Sequence, residues 1–480
     1  MSTSLPPTAT GTAGAAGALE RLRAESLRIG AALPPPRPGR AAGWQRRGKR
    51  LAALAHSGEL ARRLVLAAPL AAIGFAIFAF GGVYGWAYGI AYLLIFAALG
   101  AWSVQCWRGV WRARWQPVYA PLLAFALLAL AQAGFGLSAV PAATGTALLH
   151  LGAGMVAFVL VSQLYEGSTD AAAITAGFSW LTAALGMLAI MQILTASTGI
   201  YWHFTYAYAS PAGSFVNKNN FAGCMEMLIP VAGAGAYRHR HRDWIHVLPW
   251  ALAPGLGVAA MVLAASRGGM LALAAEAVAA LGLYLLTRDA TGHGRKRSRK
   301  MGMVVCAAVA AALIGAVGTQ RLSQRLDASA LHGPSIVQRH LLNLSSGSMF
   351  RARPGWGWGL GTWAEVYPVY ARFEDGSTYA FAHNDYLQLL AETGVAGAAC
   401  GLAFWGLWTV EFVERLRRAA RARARSTPAH YLALAAAMAV AGMLAHAWVD
   451  FNLHIPANLL LFFALLALAN GHVKDINDFV

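Results

Sequence analysis

Apolar runs close to the length of a membrane-crossing helix recur along this chain and leave few folds open to it. Twelve are found, near residues 64–80, 84–103, 118–136, 147–164, 171–196, 221–237, 245–265, 268–287, 301–319, 390–413, 430–448 and 455–472. Hydrocarbon about 30 Å thick takes roughly 20 helical residues to cross, and inside it the backbone must satisfy its own hydrogen bonds. Some runs are short or interrupted by glycine, which sets a range of ten to thirteen spans. Of 480 residues, 58% are hydrophobic and 12% charged, whereas a soluble domain carries about 25% charge. A cytosolic enzyme, a disordered protein and a secreted disulfide scaffold are excluded. The expected fold is an all-α polytopic membrane protein.

The 38 Lys and Arg against 20 Asp and Glu give a net charge of +18, which by itself would suit nucleic acid or acidic lipid. Placement decides otherwise. With the N-terminus in the cytoplasm, 30 of these cations fall on inside segments and eight on outside ones, the asymmetry that the positive-inside rule requires. Both termini are then cytoplasmic, and the charge records topology rather than nucleic-acid binding. The Arg-His-Arg-His-Arg run at 238–242 is an inside anchor on this count. The expected organisation has four parts. Residues 1–62 form a disordered basic tail, too rich in Ala, Gly and Pro over its first 45 residues to bury a core. It is not a signal peptide, because the first apolar run begins beyond residue 60. Residues 63–319 hold nine helices, 320–385 one large outer loop, and 386–480 three helices and a short tail. Cys106, Cys224, Cys306 and Cys400 lie in or beside apolar runs without metal-ligand spacing, and are expected to be buried, inert thiols.

Outside cations need a reason other than orientation. Asn217-Lys218-Asn219-Asn220 puts one cation and three carboxamides beside a helix start, where an anion is favoured; an N-capped turn with a snorkelling lysine is the plainer alternative. Ser266-Arg267-Gly268-Gly269 sits where two spans meet almost without a loop, so Arg267 lies at the membrane boundary. An arginine there is costly unless paired or used, and Gly268-Gly269 admits a bulky group to the backbone. His383-Asn384-Asp385 ends the long loop just before an apolar helix, which Asn384 or Asp385 would cap. His383 then stands above the membrane, placed to act as a general base. The Gly-Trp run at 355–361 follows no strand and is not a dinucleotide cradle; it is suited to stacking on sugars or lying in the interface. Asp450 to Pro456 forms the last outer turn and can complete a polar site with His383. Glu276 lies mid-span, either functional or paired with a neighbouring helix.

In their order and spacing these features resemble the O-antigen ligase and O-antigen polymerase family of bacterial membrane glycosyltransferases. The matching stretches are Asn217-Lys218-Asn219, Ser266-Arg267-Gly268-Gly269, Arg-Pro-Gly-Trp-Gly-Trp-Gly-Leu-Gly-Thr at 353–362, Ala382 to Leu387 with Glu392-Thr393-Gly394, and Asp-Phe-Asn-Leu-His-Ile-Pro-Ala-Asn at 450–458. Together they cover roughly residues 200–460. The resemblance implies a glycosyltransferase C-like fold of about twelve helices in the bacterial inner membrane, with the loop 320–385 periplasmic. It implies a glycan donor on undecaprenyl pyrophosphate and an acceptor hydroxyl on lipid A-core or another lipid-linked glycan, in lipopolysaccharide or exopolysaccharide biosynthesis. Neither metal nor cofactor is expected.

Lys218, Arg267 and His383 fall on the family's functional positions and are the catalytic candidates. Lys218 departs from the arginine usual at its position, and a lysine binds phosphate as a point charge rather than with a two-pronged fork. Asn217, Asn219, Asn384, Asp385, Arg339, Arg372 and His454 are the substrate-binding candidates, with Asp385 expected to orient His383. The rival reading is a transporter or flippase of lipid-linked glycans. Such a protein usually shows internal repeats, none of which is visible, and a 66-residue outer loop suits an enzyme better.

Overall fold

Eleven of the twelve apolar runs fall on helices in a computed structural model of the chain, which describes residues 38–197, 199–205, 212–287, 334–421 and 427–471. The run at 301–319, with Cys306, lies outside the described residues. The described helices are α1 Pro38–Phe78, α2 Gly85–Trp107, α3 Tyr119–Gly134, α4 Pro141–Leu164, α5 Gly167–Leu194, α6 Lys218–His239, α7 Trp244–Ala264, α8 Arg267–Thr287, α9 Pro334–Ala352, α10 Trp363–Tyr370, α11 Asp385–Arg421, α12 Pro428–His446 and α13 Pro456–Asn470. Seven of these are long and apolar enough to cross a membrane, and α3 and α13 are apolar but shorter. The protein is an all-helical, multi-pass membrane protein. Extended structure among the described residues is limited to two isolated bridges, Ile200–Phe204 and Ala212–Phe215.

Helix α1 starts at Pro38, inside the stretch expected to be unstructured. Residues 39–62 are dense in Ala, Leu and Arg, which are strong helix formers, and a proline suits the first helical turn. Residues 1–62 form a unit of their own.

In the second unit the core is built around α13. Every residue from Pro456 to Ala469 is buried, as expected of a helix that is apolar on all sides and enclosed by others. Small residues let its large ones in: a Cβ on Gly154 of α4 would come within 2.6 Å of the Phe463 ring.

The long outer segment is more than a loop. In its described part, α9 and α10 enclose a separate small core of Leu342, Met349, Trp363, Val366, Tyr367, Ala382 and Ala391. Trp363 stacks on Tyr367 with ring centres 4.6 Å apart and donates from Nε1 to Ser346 Oγ at 2.9 Å.

Between this cap and the bundle, α11 is broken at Gly394, whose φ of 63° and ψ of −161° interrupt the helix. The Gly-Trp run wraps that break. Val395 N donates to Pro354 O at 2.8 Å, Trp358 N to Ala391 O at 3.1 Å and Gly359 N to Glu392 O at 2.9 Å. The buried Glu392 carboxylate accepts from Gly361 N at 2.7 Å, Trp363 N at 3.2 Å and Gln388 Nε2 at 3.0 Å. Gln132 of α3 closes the clamp, donating to Trp356 O at 2.6 Å and accepting from Leu360 N at 3.0 Å. Glycine is required here by contact: a Cβ on Gly357 would lie 2.3 Å from Glu392 backbone atoms. The N–H groups of Gly359, Leu360 and Gly361 are spent on the fold, and the run is a scaffold. Trp356 projects from it, 57% exposed.

Candidate active site

Three helices begin at the same end of the bundle, each with a polar start. Asn217 caps α6, its Oδ1 accepting from Asn219 N at 2.8 Å, so Lys218 is the first helical residue. Ala265 turns into the left-handed region at φ 51°, Ser266 Oγ accepts from Gly269 N at 3.2 Å, and α8 begins at exposed Arg267. Asn384 Oδ1 accepts from Leu387 N at 3.1 Å, which makes Asn384, not Asp385, the cap of α11.

All three starts dock against the end of α12 and the segment that links it to α13. Gly268 lies so close to the His446 ring that a Cβ would meet Nε2 at 2.2 Å, and a Cβ on Gly223 of α6 would meet Asn452 Oδ1 at 2.4 Å. Asp385 N donates to Ala447 O at 2.9 Å. The bulky group that Gly268 admits is therefore the protein's own imidazole. Three helix N-termini facing one mouth add partial positive charge to that of Lys218 and Arg267.

Two histidine–carboxylate pairs cross between the end of the outer segment and the last outer turn. His383 Nδ1 lies 3.3 Å from Asp450 Oδ1, without full hydrogen-bond alignment. His454 Nδ1 lies 2.8 Å from Asp385 Oδ1, and Leu453 N donates to Asp385 Oδ2 at 3.3 Å. The sequence expectation that Asp385 orients His383 is thus corrected. His383 adopts φ 53°, a left-handed conformation uncommon outside glycine. The turn sends its ring away from Asp385, two residues on, and towards Asp450.

Arg339 of α9 reaches the same carboxylate, with Nη2 at 3.3 Å from Asp450 Oδ2 and Nη1 donating to Val449 O at 2.6 Å. Phe381 stacks on Phe451 at 4.5 Å, and the His383 ring meets the edge of Phe451 at 4.8 Å.

The two pairs have opposite shifts. Burial alone would raise the Asp450 pKa, but His383 beside it and the Arg339 charge outweigh burial and hold the carboxyl below its usual range. Burial would lower the His454 pKa, but its hydrogen bond to Asp385 and that carboxylate's charge outweigh it, so the imidazole is raised.

Below the mouth, contacts appear that sequence reasoning missed. His446 Nδ1 lies 2.8 Å from Glu226 Oε2, both fully buried. Glu276 of α8 packs where Gly442 leaves room, a Cβ there meeting Oε1 at 2.6 Å. Asn220, Asn452 and Asn458 form a buried amide network, with Asn220 Nδ2 to Asn452 Oδ1 at 3.1 Å. An acid inside an apolar run was the available signal, used for Glu276 but not for Glu226.

Of the candidates, His383, Asp385, Arg339 and His454 meet around the 450–454 turn. Lys218 and Arg267 open two of the helices docked on it. Asn217 and Asn384 act as caps, and Asn219 contributes its backbone N–H to the first of these. Arg372 turns elsewhere, to Ser348 Oγ at 2.9 Å on α9. Among the described residues no cluster of His, Cys, Asp and Glu has metal-holding geometry.

Residues 252–402 match the model of the O-antigen ligase family. The stretch runs from the middle of α7 into α11 and takes in Arg267, Arg339, the Gly-Trp clamp and His383 to Gly394. It excludes Lys218 and the 450–454 turn, so it is narrower than the resemblance drawn from motifs. Comparison with curated proteins gave no match. With the multi-pass helical architecture, the O-antigen ligase segment supports a membrane enzyme that processes glycans. Lipid-linked glycans are the substrate class the family implies.

Proposed function

We propose that this protein is an inner-membrane glycosyltransferase of O-antigen ligase or polymerase type. It would move a glycan from undecaprenyl pyrophosphate to an acceptor hydroxyl on the periplasmic face, with about twelve spans and both termini cytoplasmic. The observation that carries the reading is His383, Asp450 and Arg339 assembled at the mouth where helices headed by Lys218 and Arg267 begin.

The roles follow from charge and geometry. A periplasmic transferase has no nucleotide-sugar pool and needs a donor activated beforehand. Pyrophosphate leaves readily once its developing charge is met, and Arg267, Lys218 and the helix N-termini are the groups suited to meet it. His383 takes the acceptor's hydroxyl proton, as a base near neutral pH does. Asp450 faces Nδ1 and stabilises the imidazolium that forms, and Arg339 holds Asp450. The acceptor oxygen bonds to the anomeric carbon as the bond from that carbon to the phosphate oxygen breaks, which inverts the anomeric centre. The proton then passes from His383 to water. Asn217, Asn219, Asn384 and Arg372 are left with binding or supporting roles at the rim.

Deletion and complementation test the reading. The gene is removed and restored as wild type, His383→Ala or Arg267→Ala, and surface polysaccharide and lipopolysaccharide are resolved on gels. The expected result is long glycan with wild type and none with either variant at equal membrane levels. Single repeats left on core would indicate a polymerase, and bare core with lipid-linked polymer a ligase. Full complementation by both variants would sink the catalytic assignment and favour a transporter. Retention of the donor's configuration in the product would sink direct displacement.

A further inference from the structure

At the end of the bundle opposite this mouth, the chain between α2 and α3 reads Trp107-Arg108-Gly109-Val110-Trp111-Arg112-Ala113-Arg114-Trp115. The segment folds over a cleft of about 260 Å³ lined by Trp102 of α2, Arg114, Trp115, Tyr119 of α3, and Val159 and Gln163 of α4. An interfacial indole needs no cleft to be stable, yet this one is built. Arg114 N donates to Gln163 Oε1 at 2.9 Å, Gln163 Nε2 returns a bond to Arg114 O at 2.6 Å, and Arg114 Nη2 donates to Gln163 O at 2.9 Å. Gln163 Nε2 also donates to Tyr119 OH at 2.9 Å, and Tyr119 packs edge-on to Trp115. A guanidinium has five N–H donors, and the one bond from its fork fixes its place at the cleft while leaving donors for an anion.

The geometry points to a binding site for an anionic phospholipid in this cleft, with its phosphate at Arg114 and its acyl chains along Trp102 and Val159. Charge favours that occupant: Arg108, Arg112 and Arg114 fall within seven residues. The outward faces suit a bilayer, with Trp107 88% and Trp115 68% exposed. Basic pockets between helices at a membrane face hold acidic headgroups in this way.

The test uses the purified full chain in detergent. Native mass spectrometry counts bound phosphatidylglycerol against phosphatidylcholine of the same chains, for wild type and for Arg114→Gln, Trp115→Ala and Arg108→Gln. One phosphatidylglycerol is expected to bind preferentially, with affinity falling about fivefold in Arg114→Gln and Trp115→Ala and less in Arg108→Gln, whose charge adds to the surface attraction without lining the cleft. Equal binding of the two lipids, or an equal loss in Arg108→Gln, would overturn the site and leave a general aromatic belt. Inorganic phosphate forms a second arm. Thermal stabilisation by it that matches phosphatidylglycerol and needs Arg114 would make this a free-anion site and overturn the lipid assignment. Should Arg114→Gln fail to fold, Trp115→Ala decides: lost preference supports the site and kept preference overturns it.

Discussion

Two motif-like stretches lie before the break in α11, and they do opposite things. In the Gly-Trp run at 353–361, Gly357 meets the backbone of Glu392, and the amides of Trp358, Gly359 and Gly361 are spent on residues 391 and 392 beside the break in α11. Where 382–385 meets 450–454, side chains meet side chains, imidazole against carboxylate twice, with the carboxylates buried and the rings partly exposed. The Gly-Trp run has the sequence of a ligand cradle and is scaffold. The crossed stretches have the sequence of a helix cap and a turn far along the chain, and together they make a paired polar site. What separates the two cases is whether the polar groups are already satisfied within the fold. Groups spent on backbone hydrogen bonds have nothing left for a substrate, whereas a histidine that turns one ring nitrogen to a buried carboxylate keeps the other to offer.

The comparison breaks hardest at the scaffold. Gly357→Ala would put a Cβ 2.3 Å from Glu392 backbone atoms at a φ of +73°. Strain and overpacking together cost roughly 2–6 kcal/mol. Little monodisperse protein is expected on detergent size-exclusion chromatography, and no activity. A normally folded Gly357→Ala protein with lost activity would instead make the run a ligand site.

At the paired site the expected outcome is the reverse, a folded protein that does not work. His383→Ala should elute and melt like wild type, with transfer to acceptor lowered about 10²–10⁴-fold in a reconstituted assay. Comparable losses of fold and function would erase the distinction between the two stretches.

The helices and caps were legible because they depend on near neighbours. Apolar runs predicted eleven described helices, and Asn217 and Asn384 stood directly before the runs they cap. The sequence joined the 450–456 turn to His383, but which carboxylate faces which imidazole was not legible, because those pairs join residues far apart in the chain. His383 and Asp385 are two residues apart and read as a dyad, but the left-handed turn at His383 sends each to a different partner in the 450–454 turn. Glu226 and His446 each sit in an apolar run, separated by 220 residues of chain. The Gly-Trp run was open to misreading for a related reason: glycine leaves room, and sequence does not say for what.

A smaller effect should follow from Asp450→Asn, which keeps the size of the side chain and removes its charge. Loss of a partner for the imidazolium lowers transfer roughly 10–100-fold. The wild-type acid limb is a further readout. A carboxyl held below its usual value contributes above that value and loses its contribution as pH falls through the depressed one. Asp450 therefore stays ionised to below about pH 3.8, the ordinary aspartate value. Transfer by Asp450→Asn at the wild-type rate would contradict this assignment.

The smallest expected effect is at the His454–Asp385 pair, and it has the opposite sign. His454 is raised, so its tie to Asp385 is fully present below about pH 6.5 and is lost as pH rises through the higher folded-state value. The ring also faces Phe381, and it feels the charge of Glu392 on α11 and that of His150 on α4. His454→Gln keeps a polar group against Asp385 without a titrating charge. Wild-type thermal stability should therefore decline from pH 6.5 to 9 relative to this variant, which should stay level, and transfer at neutral pH should fall less than about fivefold, the scale of a partly exposed ion pair. Asp385→Asn should show the same lost pH dependence. If instead His454→Gln abolished transfer as fully as His383→Ala, both crossed pairs would belong to the chemistry, and the division between a reacting pair and a bracing pair would fall.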